Sequence, residues 1–235
     1  MKWVLTPDEF THVWAAETGL DRRPYPVNMT PATTTRTESE YAALGLRHRY
    51  ARNTDADLTA ALLLCARTDA TTITISGERT GADPERILAF ASVVNQHAGI
   101  LIGRPDAVVV LICHARAVGA ELVEVIGSAP PGGGGTMREP QEAVLDPEGK
   151  PPYRTHGHRN AARFRRKLRD PVDSRGFITV TAAPDNPMSP PTRHRTWLDF
   201  TGDGRYLLTT AADLTLTPVA DSDLASQLTR LACIQ

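Results

Sequence analysis

The chain has 235 residues, of which 41% are hydrophobic and 23% are charged, and its formal net charge is −1. This length allows one domain or two small ones, and either arrangement can bury a core. The near-neutral charge argues against general affinity for nucleic acid or for an anionic membrane, so any such role must be local.

The cysteines and the hydropathy pattern indicate the compartment. The chain has three cysteines, Cys65, Cys113 and Cys233. Because their number is odd and they lie far apart among apolar neighbours, we expect buried thiols rather than a disulfide framework. Polar residues follow the N-terminus too soon for a signal peptide, and the longest apolar run, residues 107–113, is too short to cross a membrane. We therefore expect a cytosolic protein with no membrane insertion.

The first third of the chain has the pattern of helices. Thr6 is a predicted N-cap, Pro7 suits the first helical position, Glu9 can complete a capping box, and Gly19 can end the helix. Two more helices are predicted at residues 38–52 and 55–66.

Four strands and a helix are predicted next. Ile73 and Ile75 alternate with polar residues, which indicates a half-buried strand at residues 71–76. The polar residues 77–85 are interpreted as a loop. The remaining elements are strands at residues 87–94, 99–103 and 107–113 and a helix at residues 116–126.

Residues 128–152 are rich in proline and contain four consecutive glycines, 132–135. We interpret this stretch as a linker or mobile excursion between an N-terminal subdomain, residues 1–127, and a C-terminal one, residues 153–235, within one compact domain. A phosphate-binding loop is not favoured, because no Gly-Lys-Ser/Thr follows the glycines and no strong strand precedes them.

Residues 154–169 carry seven arginines and lysines, with Phe164 and Leu168 as a narrow apolar stripe. The pattern predicts a basic helix. Such a helix could follow a phosphate backbone, and nucleic-acid binding is our alternative hypothesis for function. The absence of interleaved aromatic residues favours a solvated or protein-facing helix instead.

The last third of the chain repeats the earlier order. Residues 176–182 are predicted to form a strand with Ile178 and Val180 on one face and Phe177 on the other. Residues 193–219 are predicted to form a three-stranded meander that turns at residues 202–204 and 211–213. A helix begins near Asp221. We predict an α+β fold with a largely antiparallel central sheet, built from two pseudo-twofold related β-β-β-β-α halves with the N-terminal helices packed outside.

No catalytic, cofactor or metal site is predicted. His156-Gly157-His158 is the only close histidine pair, and a metal would need two further ligands. Cys113 and His114 are neighbours on a strand and point to opposite faces, so they cannot share a proton. Asp199 and Asp203 flank a hairpin, where aspartate is most often a turn residue. We predict a protein that is not an enzyme.

Ordered landmarks lie along the whole chain: Leu5-Thr6-Pro7-Asp8-Glu9-Phe10 with Trp14, Pro24-Tyr25-Pro26, Thr196-Trp197-Leu198-Asp199, and Asp203-Gly204-Arg205-Tyr206. In this order they resemble a known family, the EspG family of chaperones of ESX (type VII) secretion systems. The resemblance implies a sheet with a C-terminal helical bundle, no cofactor, and cytosolic binding of the apolar tip of a PE–PPE heterodimer. The free protein is expected to be a monomer or weak homodimer, and no nucleic acid is expected as partner.

The resemblance also implies where the cargo binds. It points to the loop at residues 77–85, the sheet near residues 87–94, and the helices at residues 154–169 and 221–234. The individual residues that we predict to contact a partner are Gly77, Glu78, Arg79, Thr80, Asp83, Phe90, Arg163, Phe164, Lys167, Leu168, Gln227 and Arg230.

Overall fold

The computed structural model describes residues 1–31, 33, 37–53, 55–81, 83–145 and 156–234, without the side chains of residues 156–159. The strands are β1 (Lys2–Leu5), β2 (Thr71–Arg79), β3 (Glu85–Val94), β4 (His97–Gly103), β5 (Val108–His114), β6 (Met137–Pro140), β7 (Val172–Thr181), β8 (Arg193–Phe200), β9 (Gly204–Thr210) and β10 (Asp213–Pro218). The helices are α1 (Pro7–Thr18), α2 (Glu38–Ala43), α3 (Leu46–Arg49), α4 (Ala56–Ala66), α5 (Val118–Ile126), α6 (Gln141–Leu145), α7 (His156–Lys167) and α8 (Asp221–Leu231). None of them is long and apolar enough to span a bilayer.

All ten strands belong to one antiparallel sheet in the order β1-β5-β4-β3-β2-β7-β8-β9-β10-β6. The order is symmetric about the pair β2 and β7, since each half continues outward through three more strands and ends in a helix, α5 or α8. A short extra strand covers each outer edge. The predicted fold class and its two repeated halves are confirmed, and the two half-sheets continue one another through β2 and β7.

Helices cover the two faces of the sheet differently. On one face, here called the closed face, α5 and α8 pack against each other and bury the isoleucines of β2, β3 and β4 together with Trp197 of β8. On the opposite face, α1 and α4 cover the first half of the sheet, while α6 and α7 cover the second half. No described helix covers the central strands between these two helix pairs, and we call this region the open face.

The N-terminal helix forms as its sequence predicts. The Thr6 side chain accepts a hydrogen bond from the Glu9 backbone, and the Glu9 carboxylate accepts one from the Thr6 N–H at 2.9 Å. Gly19 ends the helix with φ of 70°, a conformation that side chains other than glycine's rarely tolerate. Phe10 and Trp14 are then buried against β4 and β5.

Two predictions about the first half are wrong. The helix predicted at residues 38–52 is broken by Gly45, whose φ of 65° separates α2 from α3. The loop predicted at residues 77–85 is much shorter, because β2 continues to Arg79 and β3 begins at Glu85. Its polar residues suggested a loop, but they belong to a strand that is paired on both sides and faces solvent on one face.

The linker predicted at residues 128–152 is instead part of the fold, as far as residue 145. Pro131 bridges to Arg205, β6 pairs with β10, and α6 packs on α7. The glycines allow this path, since a Cβ at Gly132 would overlap the Tyr206 ring. The rest of the predicted linker, residues 146–152, lies outside the described residues.

A glycine pair lies at the centre of the closed face. Gly77 and Gly176 are directly opposite each other on β2 and β7, and the Trp197 indole packs over both. The indole N–H donates a hydrogen bond of 3.0 Å to Ser174 Oγ. The missing side chains therefore provide the space that the tryptophan fills.

Substituting Gly176 by alanine is expected to destabilise the fold by about 1–3 kcal/mol, as overpacking of a filled core does. A Cβ there would overlap Trp197 and also the backbone of Gly77, which cannot move aside as a side chain can. Urea unfolding measures the loss. Gly81→Ala is the matched control, because its Cβ would meet nothing, and equal midpoints for both variants would contradict the prediction.

A buried ion network connects the end of the sheet to α5 and α8. The Arg205 side chain is fully buried and donates to both Asp199 oxygens at 2.8 and 2.9 Å. It also donates to Asp221 Oδ1 and to the Gly127 carbonyl, each at 2.7 Å. Asp199 thus belongs to the framework of the fold.

Candidate functional site

The open face consists of side chains that meet in rows across β3, β2, β7 and β8. Backbone pairing places directly opposite residues in one row, and every second residue of a strand points to the same face. The rows are Arg86-Glu78-Arg175-Leu198, Leu88-Ser76-Phe177-Thr196 and Thr74-Thr179-His194. A groove of about 480 Å³ follows the first two of these rows.

Two aromatic side chains are exposed beside this groove. Phe177 is 67% exposed at the middle of β7, and Tyr25 is 64% exposed with its hydroxyl 3.4 Å from Ser76 Oγ. Ser76 is the direct cross-strand neighbour of Phe177, so both aromatic residues flank one serine. Large apolar side chains that stay exposed on a rigid sheet are typical of surfaces that bind another protein.

Charges concentrate in one row of the open face. Glu78 lies directly between Arg86 on β3 and Arg175 on β7. Arg175 forms the salt bridge with Glu78: its Nε lies 2.8 Å and its terminal nitrogen 2.7 Å from Glu78 Oε1. The Arg86 side chain is exposed and has no hydrogen bond or ion pair with any of the described residues.

The basic helix α7 covers one side of the open face and is anchored by Lys167. Its Nζ lies 2.8 Å from Asp203 and 3.1 Å from Asp170, and 3.9 Å from the centre of the Phe200 ring. Burial acts to lower the pKa of Lys167, but the hydrogen bonds to the two aspartates outweigh it and the pKa is raised. Lys167 therefore stays charged and uses its charge in contacts within the fold.

Asp203 joins three elements at the same place. It accepts hydrogen bonds from Lys167, from the Gly133 N–H at 2.7 Å and from the Tyr206 hydroxyl at 3.0 Å. The hydrogen bond from Lys167 and then that from Gly133 hold the pKa of Asp203 below its ordinary value of 3.8. The ionised carboxylate thereby fixes the glycine segment and α7 to the β8–β9 turn.

The lowered pKa predicts an acid-dependent loss of stability. A carboxyl whose pKa is lower in the folded state stabilises the fold above its unfolded pKa, and the contribution is lost as pH falls through the folded pKa. At pH 7, Asp203→Asn should cost about 1–2 kcal/mol in urea unfolding, as loss of a charged hydrogen bond does. The difference in the free energy of unfolding between Asp203→Asn and the unmodified protein should be smaller at pH 3 than at pH 7.

Asp185→Asn is the control for that experiment, because Asp185 is exposed on a loop. It should match the unmodified protein at both pH values. A cost for Asp203→Asn that is the same at pH 7 and pH 3 would contradict the assignment.

The predicted contact residues of the first half do not form one surface. Glu78 lies on the open face, whereas Gly77 lies under Trp197 on the closed face. Arg79 pairs with Glu85 and donates to the Ile126 carbonyl at 3.1 Å. Thr80 donates to the Val172 carbonyl, and Asp83 is exposed in the short β2–β3 loop.

The predicted contact residues on the helices separate as well. Arg163 is exposed on α7, and Leu168, which directly follows Lys167 at the end of the helix, is half-buried. Gln227 and Arg230 belong to α8, which lies on the closed face, so they cannot share a surface with Glu78. Their contact with a partner stays a prediction.

Two of the predicted contact residues are corrected by the structure. Phe90 is 8% exposed beneath α1 and α4, and Phe164 is fully buried against Phe200 and Tyr206. Both therefore belong to the core and offer no surface to a partner. The open-face residues missed from sequence are Tyr25, Arg86, Arg175 and Phe177. For Phe177 there was a signal, a phenylalanine on the polar side of an alternating strand.

The alternative function, nucleic-acid binding by residues 154–169, gains no support from the described part of α7. Phe164 is in the core, Lys167 is paired with two aspartates, and no described aromatic residue of this helix is exposed to stack on a base. Arg154 and the side chains of Arg159 and of the histidine pair, His156 and His158, lie outside the described residues.

A family model described as the EspG family matches residues 6–230. The chain belongs to the EspG family. The match confirms the resemblance drawn from the sequence landmarks, and it covers both halves of the EspG-type sheet described above. No curated protein matches this EspG-family chain in a sequence comparison.

A solved structure agrees on the fold. It is described as the Mycobacterium tuberculosis type VII secretion system chaperone EspG5 in complex with a PE25–PPE41 dimer. The TM-score is 0.63 at 10% sequence identity, over 98% of this EspG-family protein and 95% of that chain. At such low identity the comparison shows that the two proteins share their architecture.

Proposed function

We propose that this EspG-family protein is a cytosolic type VII secretion chaperone that binds a PE–PPE dimer on its open face and keeps the dimer soluble for export. Family membership over residues 6–230 and the shared architecture with a chaperone solved in complex with such a dimer support the proposal. The observation that carries it for this chain is the exposed Phe177 on the uncovered central strands.

The physical role is to mask apolar surface. An apolar helix tip exposed to water invites aggregation, and covering it removes that surface from solvent at about 25 cal/mol per Å². The uncovered strands offer a rigid floor, and Phe177 offers an apolar anchor. The binding itself needs no nucleotide or metal.

Co-expression tests the proposal. The protein and each PE–PPE pair of its own genome are produced together, and size-exclusion chromatography shows whether a discrete ternary complex forms. We expect one with at least one pair, together with a higher soluble yield of that pair than in its absence. Failure to bind every pair of the genome would contradict the proposed function.

A further inference from the structure

The charged row of the open face indicates a specific chemical feature of the partner. We propose that the bound segment carries a carboxylate that pairs with Arg86, next to the apolar side chain that packs on Phe177. This inference rests on the proposed function and adds a specificity-determining residue to it.

The row carries one more positive than negative charge. One carboxylate, Glu78, lies between two guanidinium groups, and the contacts of 2.7 and 2.8 Å show that Arg175 holds it. Arg86 is left as the surplus cation among the described residues. Glu85, the residue directly before Arg86, points to the closed face and pairs there with Arg79 and Arg104, so it does not neutralise Arg86.

Arg86 and Phe177 lie close enough for one partner segment to contact both. Phe177 is two strands and two residues away from Arg86, which places their Cα atoms about 12 Å apart from ordinary strand spacings. One helical tip, about 10–12 Å across, can reach both positions at once. Both residues line the same groove or its immediate floor.

An unpaired cation is costly to bury in an interface. If an apolar tip covered the groove without an opposite charge, Arg86 would lose water and gain no partner, which is costly. A partner carboxylate removes that penalty and forms a charge-assisted, bidentate hydrogen bond. Partners without the carboxylate are thereby rejected, so Arg86 selects among otherwise similar apolar tips.

The experiment measures the affinity of purified variants for the PE–PPE pair that co-purifies with the unmodified protein. Arg86→Glu should weaken binding by at least about tenfold, and Arg86→Gln by less, because reversal adds repulsion to the loss of attraction. Arg86→Lys should recover part of the affinity. The salt dependence of binding should also be smaller for Arg86→Gln than for the unmodified protein.

Arg52→Glu is the matched control, since Arg52 is an exposed arginine in the loop between α3 and α4 and not among the predicted contact residues. It should bind as the unmodified protein does. Thermal unfolding checks that each variant is folded, and Arg86→Gln still tests the idea if Arg86→Glu does not fold. Unchanged affinity for Arg86→Gln and Arg86→Glu would overturn the inference, while loss of binding by Phe177→Asp in the same assay would leave the proposed function standing. Absence of any complex with the unmodified protein would overturn both.

Discussion

Replacing Phe177 by aspartate is expected to abolish stable complex formation with the PE–PPE dimer while the fold stays intact. Buried aromatic anchors at the centre of an interface contribute about 2 kcal/mol or more, so affinity should fall at least about thirtyfold. The side chain is 67% exposed in the free protein. Its substitution should therefore change the free energy of unfolding by no more than about 0.5 kcal/mol.

Val4→Asp provides the matched control for Phe177→Asp. Val4 is also an apolar strand residue and is 62% exposed. It lies on the edge strand β1 opposite Val109, and its side chain is on the closed face of the sheet. Calorimetric titration of both variants with the PE–PPE dimer should show a loss of binding for Phe177→Asp alone. Equal affinities for the two variants would exclude Phe177 as an anchor.

Removing the carboxylate of Asp199 should have the largest effect on stability. Asp199→Ala leaves the fully buried Arg205 guanidinium without the group that occupies two of its nitrogens. Breaking a buried ion pair by removing one partner costs about 3–5 kcal/mol. Asp221 still contacts the guanidinium at 2.7 Å, so we expect a value near the lower end of that range, about 3 kcal/mol.

Asp213→Ala separates the effect of burial from that of charge. Asp213 also pairs with an arginine at 2.7 Å, but the Arg138 side chain is 71% exposed, and such surface pairs contribute about 0–1 kcal/mol. Urea unfolding should therefore show a large shift of the midpoint for Asp199→Ala and a small one for Asp213→Ala. Similar shifts would show that the Arg205 network is not a main support of the fold.

The elements that sequence analysis predicted correctly are those with local causes. The capping box of Thr6 and Glu9 needs only four consecutive residues, and the β8–β9 turn needs only the residues at 202–204. Alternation within β2 and β7 likewise depends on neighbours along the strand. The repeated order of four strands and a helix follows from these local patterns, which is why the fold class could be predicted.

The predictions that failed depended on contacts between distant segments. Residues 77–79 are as polar as a loop, and only pairing with β7, a hundred residues later, makes them part of a central strand. The glycines at 132–135 have the composition of a linker. Packing against Tyr206 and Asp203 fixes them in the fold.

Phe90 and Phe177 show which features depend on local sequence and which depend on tertiary structure. The sequence by itself determined that each phenylalanine lies on a strand, and for Phe177 that it points away from Ile178 and Val180. Only the tertiary structure decided that α1 and α4 cover Phe90 and that no described element covers Phe177. The physical reason is that alternation is set by the backbone within a strand, whereas coverage of a face depends on where helices from remote parts of the chain pack.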